Sequence, residues 1–328
     1  MCGRSNADEA IRHPQGANPY DRPRRLGRVP ALGQERGWES DVPRWLGLAH
    51  QACGEALRND PRNSEAHSAR GLIAFFSRQN AEAEADVREA LRADNNNDIA
   101  HDLLGRIRFA RGEFLGAIAA YRDALAINPH YVWCLNDLAW ALMLTGEEAE
   151  AEATLERVLA LSPGDEGGHC GRAVFLYVRG QPRDALREIR KAEEANPRYP
   201  WVLQLLPPIL ARNGHHQEAL TRCEAMAAHA ESAFLGYAGL GLVSIETGDR
   251  SRLDDSVRRA MQIEPFYPAI NLNYASLFDT VGEPTIAVEW VRKAVREGVR
   301  LVEVNDWHPT LKRLAVHAGL ITARNDHG

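Results

Sequence analysis

The chain is poor in the features that mark several large classes of protein. Lysine occurs three times in 328 residues, against thirty-six arginines. Acidic residues outnumber basic ones 45 to 39, giving a net charge of -6. With no excess of positive charge, the large field that draws phosphate backbones is missing, and no nucleic-acid partner is expected. The arginine bias, interspersed with acids throughout, reads as the codon usage of a GC-rich bacterial genome rather than an RNA-binding surface.

Cysteine is scarce and odd in number. Cys2, Cys53, Cys134, Cys170 and Cys223 are widely spread, which suits a reducing compartment and argues against a disulfide framework. No run of eighteen apolar residues occurs, so no membrane span is expected. The first residues have no apolar stretch of the kind a secretory signal needs, and the expected location is the cytoplasm. Phosphate loops, dinucleotide fingerprints and nucleophile elbows are all missing.

What is present is a period. Gly112, Gly146, Gly180, Gly214, Gly248 and Gly282 follow one another at 34 residues. Pro61, Pro129, Pro163, Pro197 and Pro265 share a second phase, and Ala83, Ala117, Ala151, Ala185, Ala219 and Ala287 a third. Helix-length amphipathic segments lie between each Gly and the next Pro, and between that Pro and the next Gly. A glycine just past a first helix ends it cheaply in the left-handed conformation. A proline stops the second helix because it has no N–H and clashes with the preceding turn. The small residues let the two helices of a pair approach closely, and Glu147-Glu148 favours a helix start through the macrodipole.

A 34-residue helix–turn–helix with Leu104-Gly105, Gly112, Phe114, Ala117, Tyr121, Ala124-Leu125 and Pro129 resembles the tetratricopeptide repeat (TPR). Seven copies are expected, over 64–97, 98–131, 132–165, 166–199, 200–233, 234–267 and 268–301. The resemblance implies an all-α, right-handed α-solenoid, with a leading half-repeat helix near 43–60 and a capping helix near 309–322. The expected organisation is a disordered or irregular Arg/Pro/Gly-rich tail over 1–42, a solenoid over 43–322 and a frayed end over 323–328. Residues 294–320, with Asp306-Trp307, Pro309 and Gly319-Leu320, also resemble the ends of TPR regions in bacterial adenylate cyclases and winged-helix transcriptional activators, without their output domain.

Two departures stand out. Pro207-Pro208 falls inside the first helix of the fifth copy and predicts a kink or break there. Asp165-Glu166-Gly167-Gly168 predicts a loosened start to the fourth copy.

Few residues suggest chemistry. Met1-Cys2-Gly3 resembles the start of glutamine amidotransferases, but those enzymes need a large sheet domain next. His67, His101 and His169 share one repeat position and read as packing histidines. His50 and Cys53, three apart on a helix, lack two further ligands for a metal. His215-His216 and Asp254-Asp255 read as solvated. No catalytic residue, metal or cofactor is expected, and the chain reads as a non-enzyme.

The resemblance implies that the first helices line a concave groove. Its inward positions are Phe75 and Phe76 in copy one; Asp102, Arg106 and Phe109 in copy two; and Trp133, Asn136, Asp137, Trp140 and Met143 in copy three. Copy four adds Cys170 and Tyr177, and copy five Trp201, Gln204 and Arg212. The family's lysine-based clamp for acidic tails is missing: the position that would carry lysine holds Ser68, Asp102, Asn136, Cys170, Gln204, Ala238 and Leu272. Charged groove positions lean acidic, with Glu65, Asp102, Asp137, Glu246 and Asp279 against Arg106 and Arg212. The expected function is a protein-binding scaffold or adaptor that holds an apolar or mildly basic segment of a protein or peptide partner. The alternatives are a peptide-sensing regulator signalling through its N-terminal tail, or an accessory subunit of an enzyme complex.

Overall fold

The computed structural model describes residues 42–265, 268–301 and 307–321. The tail expected over 1–42, save Val42, lies outside the described residues, as do Cys2 and the end expected over 323–328.

The described residues are all-α. Helix α1 (Val42–Asn59) is followed by α2 (Ser64–Phe76) and α3 (Asn80–Ala93), α4 (Asp98–Ala110) and α5 (Phe114–Ile127), and α6 (Val132–Thr145) and α7 (Glu148–Leu161). Next come α8 (Glu166–Val178) and α9 (Pro182–Ala195), α10 (Pro200–Arg212) and α11 (His216–Ala227), and α12 (Ala233–Thr247) and α13 (Arg250–Met261). The last are α14 (Ile270–Thr280), α15 (Pro284–Arg296) and α16 (Pro309–His317). The first helix of each pair therefore starts within two residues of the start expected from the period.

The punctuation works as its chemistry dictates. All six periodic glycines have positive φ, between 72° and 86°. Pro129, Pro163 and Pro197 each stand two residues past the end of a second helix. A further series closes the N-termini: Asn63, Asn97 and Asp165 accept from the backbone N–H three residues on, at 2.8 to 2.9 Å. Such caps satisfy donors that the helix itself leaves free. Asp165 thus fixes the start of α8, and the loosening expected there does not occur. Gly167 and Gly168 are buried, and a Cβ on Gly168 would stand 2.6 Å from Val158. The small residues serve close approach rather than slack.

Of the kink or break expected at Pro207-Pro208, the break is absent. Helix α10 runs unbroken from Pro200 to Arg212 with both prolines inside it. Each proline removes a helical hydrogen bond. Against that, Val202, Leu205, Leu206, Ile209 and Leu210 are all at most 3% exposed, and burying five such side chains outweighs the local penalty.

The chain divides into two compact units. Unit 1 runs to Ile107 and includes Gly116–Asp137; unit 2 holds Arg108–Leu115 and the residues from Leu138 onward. The core of unit 1 includes Leu72, Ala83, Val87, Leu103 and Ile107. In unit 2, α8, α10, α12, α14 and α16 touch in succession, while each first helix packs on its own second helix. Its largest buried side chains include Trp290, Tyr274, Phe278, Leu206 and Ile209.

Candidate partner-binding surface

In unit 1 the expected groove residues of copies two and three converge on one guanidinium. Arg106 donates from Nε to Asp102 at 2.9 Å and pairs through Nη2 with Asp137 at 2.7 Å. Its charge also lies 4.8 Å from the centre of the Trp133 ring, within cation–π range. Tyr131 takes the place that Asn97 and Asp165 hold as caps, and its hydroxyl donates to Asp102 at 3.2 Å. Spacing explains the cluster: Asp102 and Arg106 are one turn apart on α4, and Trp133 and Asp137 one turn apart on α6.

The members differ in access. Asp102 and Asn136 are buried, the Arg106 side chain is 13% exposed, and the Asp137 side chain is 31% exposed. Trp133 is half-buried. Burial pushes the Asp137 carboxyl up to about 7, against the pull of Arg106, and Asp102 adds like-charge repulsion. Burial opposes the charge on Arg106, yet the two carboxylates hold its pKa well above the ordinary value. Two acids share one base, so the cluster carries an unbalanced negative charge when both are ionised. Phe75, also in unit 1, packs edge-on against Phe76 at 5.7 Å.

In unit 2 the Trp140 and Trp201 rings stack at 4.1 Å, 11° from parallel. Trp140 is 6% exposed, so it supports Trp201 from beneath, while Trp201 and Met143 are half-buried. Tyr177 and Gln204 are buried, at 6% and 2%. Burial raises the Tyr177 hydroxyl to about 12, with Arg212 opposing and Glu246 adding to the rise. The acids expected to face the groove in this unit are matched singly: Glu246 pairs with Arg212 at 2.6 Å and Asp279 with Arg313 at 2.7 Å. Phe109, also in unit 2, lies 5.4 Å from the Phe114 ring.

The other candidates are structural. His67 bridges the Pro61 carbonyl and Asp86, at 3.1 and 2.9 Å. His169 bridges the Pro163 carbonyl and Glu188, at 2.9 and 2.8 Å. His101 holds the Asn95 carbonyl at 3.0 Å. The recurring imidazole ties a first helix to the turn before it. Cys134, Cys170 and Cys223 are buried, and burial raises each thiol, Cys223 to about 12. His50 is exposed and Cys53 buried, so the pair does not share one environment. Among the described residues no three His, Cys, Asp or Glu side chains gather as a metal site would need. No helix among them is long and apolar enough to cross a membrane.

Comparisons with known proteins agree with this architecture. Models described as tetratricopeptide repeat match residues 47–98, 68–132 and 108–169. No curated protein matches the chain. Among solved structures it is similar to the APC/C hetero-tetramer Cut9–Hcn1, with a TM-score of 0.55 and 11% identity over 95% of this chain and 62% of that one. It is also similar to the human IFIT1 dimer with m7Gppp-AAAA, with a TM-score of 0.54 and 17% identity over 89% and 72%. A tetratricopeptide repeat protein from Parabacteroides merdae ATCC 43184 aligns at a TM-score of 0.47 and 17% identity over 76% and 96%. For the first two, at these identities, the likeness is one of fold. Helix pairs on a 34-residue period, left-handed glycines at their turns and the matching family models together identify the chain as a tetratricopeptide-repeat protein.

Proposed function

We propose that the protein is a non-enzymatic scaffold that holds a mildly basic or apolar segment of a partner protein, and that the Asp102–Arg106–Asp137 cluster with Trp133 is its recognition point in unit 1. Repeats of this kind serve protein interaction in general; the partner's chemistry is the finer reading. The observation that carries it is the imbalance at Arg106. Glu246 and Asp279 each have one arginine, whereas Asp102 and Asp137 share one, and Asp137, one turn from a half-buried indole, has a side chain 31% exposed although its Oδ2 is buried. A cation arriving there gains an ion pair and an aromatic wall, and an acidic tail meets repulsion. Trp201, backed by Trp140, offers a separate apolar anchor in unit 2.

The test is a peptide array of basic, apolar and acidic segments, read with the wild type and with Trp133→Ala/Asp137→Asn. Asn136, although at an inward position, is 5% exposed, so its replacement would confound binding with stability. Basic peptides should bind the wild type and lose at least tenfold in the variant, with a melting temperature within a few degrees. Equal binding by both proteins, or a preference for acidic peptides, sinks the reading.

A further inference from the structure

Unit 1 balances the charge of its buried acids in two ways. Asp86 on α3 faces two bases, the Arg70 guanidinium at 2.6 Å and the His67 imidazole at 2.9 Å. Around Arg106 the count is reversed, with Asp102 and Asp137 on one guanidinium. No neighbour makes up the difference. Tyr121 on α5, Tyr131 before α6 and Cys134 on α6 face the same carboxylates, and burial pushes all three well above their ordinary values, so they stay neutral at physiological pH. Asp98, one turn before Asp102 on α4, acts on Tyr131 as a further negative charge. Arg106 is held well above its own ordinary value and stays charged.

Ionised together, Asp102 and Asp137 therefore leave one negative charge uncompensated in a largely buried cluster. Such a charge is costly away from water, and either a proton or a cation relieves it. The bonding carries the same mark. Asp102 Oδ1, on a side chain 3% exposed, has no hydrogen-bond partner. Asp137 Oδ2 is buried against Arg106, yet the side chain as a whole is 31% exposed, so a proton bound there can exchange with solvent.

We propose that a proton and a partner's guanidinium compete for this site, so that capture is linked to proton release and weakens as pH falls. With the surface empty, Asp137 holds the proton. When a basic side chain arrives, the Asp137 O–H bond breaks, the proton passes to solvent, and an ion pair with the incoming cation takes its place. This rests on the recognition point placed at Asp102–Arg106–Asp137 and adds its regulation. Burial lifts the Asp137 carboxyl to about 7 against the pull of Arg106, which puts the exchange in the neutral range. Below that value the free protein must shed a proton to bind; above it the carboxylate is already ionised. An aspartate with an ordinary pKa is ionised throughout this range and would give no such response.

Isothermal titration calorimetry on the full chain tests the linkage. The probe is an acetylated, amidated arginine peptide without histidine, lysine or acid, so the ligand itself does not titrate between pH 6 and 8. The wild type should bind about tenfold more weakly at pH 6 than at pH 8, and at pH 6 should release about one proton per peptide, read from the enthalpy in buffers of different ionisation heat. Asp137→Asn leaves one acid to one base. It should bind more weakly at pH 8 and change less than twofold between the two pH values, which also controls for the histidines that both proteins share. The wild-type proton count decides the matter should that variant not fold. Equal wild-type affinity at both pH values, no proton released, or the same pH dependence in both proteins overturns the linkage and leaves the recognition point standing. No binding of the peptide at either pH overturns both.

Discussion

Arg78 sits at φ 60° in the turn position that Gly112 occupies, one period later, at 76°. The turn imposes the left-handed conformation whatever residue it receives. A side chain with a Cβ pays about 1–2 kcal/mol there. Arg78→Gly should therefore stabilise unit 1, by about 1 kcal/mol once the greater freedom of glycine in the unfolded chain is subtracted. Urea denaturation of the two proteins measures it. A loss of stability would mean that the arginine side chain's own contacts outweigh the backbone strain.

The same geometry separates two glycine substitutions. Gly214→Ala meets open space and only the conformational penalty, about 1 kcal/mol. Gly112→Ala adds a clash with Val299 at 2.7 Å, so it should lower the melting temperature clearly more than Gly214→Ala. Equal shifts in thermal unfolding would place Val299 away from the turn.

Removing Arg106 leaves two carboxylates without their base. Arg106→Met should cost about 3 kcal/mol at neutral pH, the usual range for breaking a buried pair from one side. The deficit should shrink on acidification. Burial already raises the Asp137 carboxyl to about 7 in the wild type, and losing the cation raises it further. A carboxyl whose folded pKa lies above its unfolded value favours folding more as pH falls through the folded value, because the folded state takes up the proton first. Urea midpoints at pH 7.5 and 5.5 should therefore converge towards the wild type at the lower pH. A deficit independent of pH would show that packing of the arginine stem, not charge, is what was lost.

Local backbone chemistry made most of the fold legible. Gly112 to Gly282 and Pro61 to Pro265 act through φ, a missing N–H and nothing further away, so their spacing alone placed the helix ends. At Pro207-Pro208 the local penalty does not break the helix, because Leu205, Leu206 and Ile209 around it are buried. The Asp165 carboxylate is a cap and not a source of slack, a signal present in the sequence as Asn63, Asn97 and Asp165 on the same period. The candidate surface was partly visible: Trp133 and Asp137 came from register, but register does not say that Trp140 lies beneath Trp201 or that Asn136 is buried. The Trp307 indole N–H, which donates to the Gly112 carbonyl at 3.2 Å, had no sequence signal, since no period links positions so far apart.

His308 gives the start of α16 a pH dependence whose sign follows from its bonds. Its Nδ1 accepts from the Thr310 N–H at 3.2 Å and so caps α16, a role open only to the neutral ring. Burial lowers its pKa below the ordinary value, with the Glu148 carboxylate opposing. A histidine held below its unfolded pKa contributes stability that is fully present above about 6.5 and is lost as pH falls below that value, because the unfolded chain binds the proton more readily. Asparagine also accepts at an N-cap but does not titrate. His308→Asn should therefore match the wild type near pH 7.5 and overtake it on the way to pH 5 in urea denaturation. Parallel curves across that range would show that His308 holds its proton equally in both states, and that the cap does not depend on its charge.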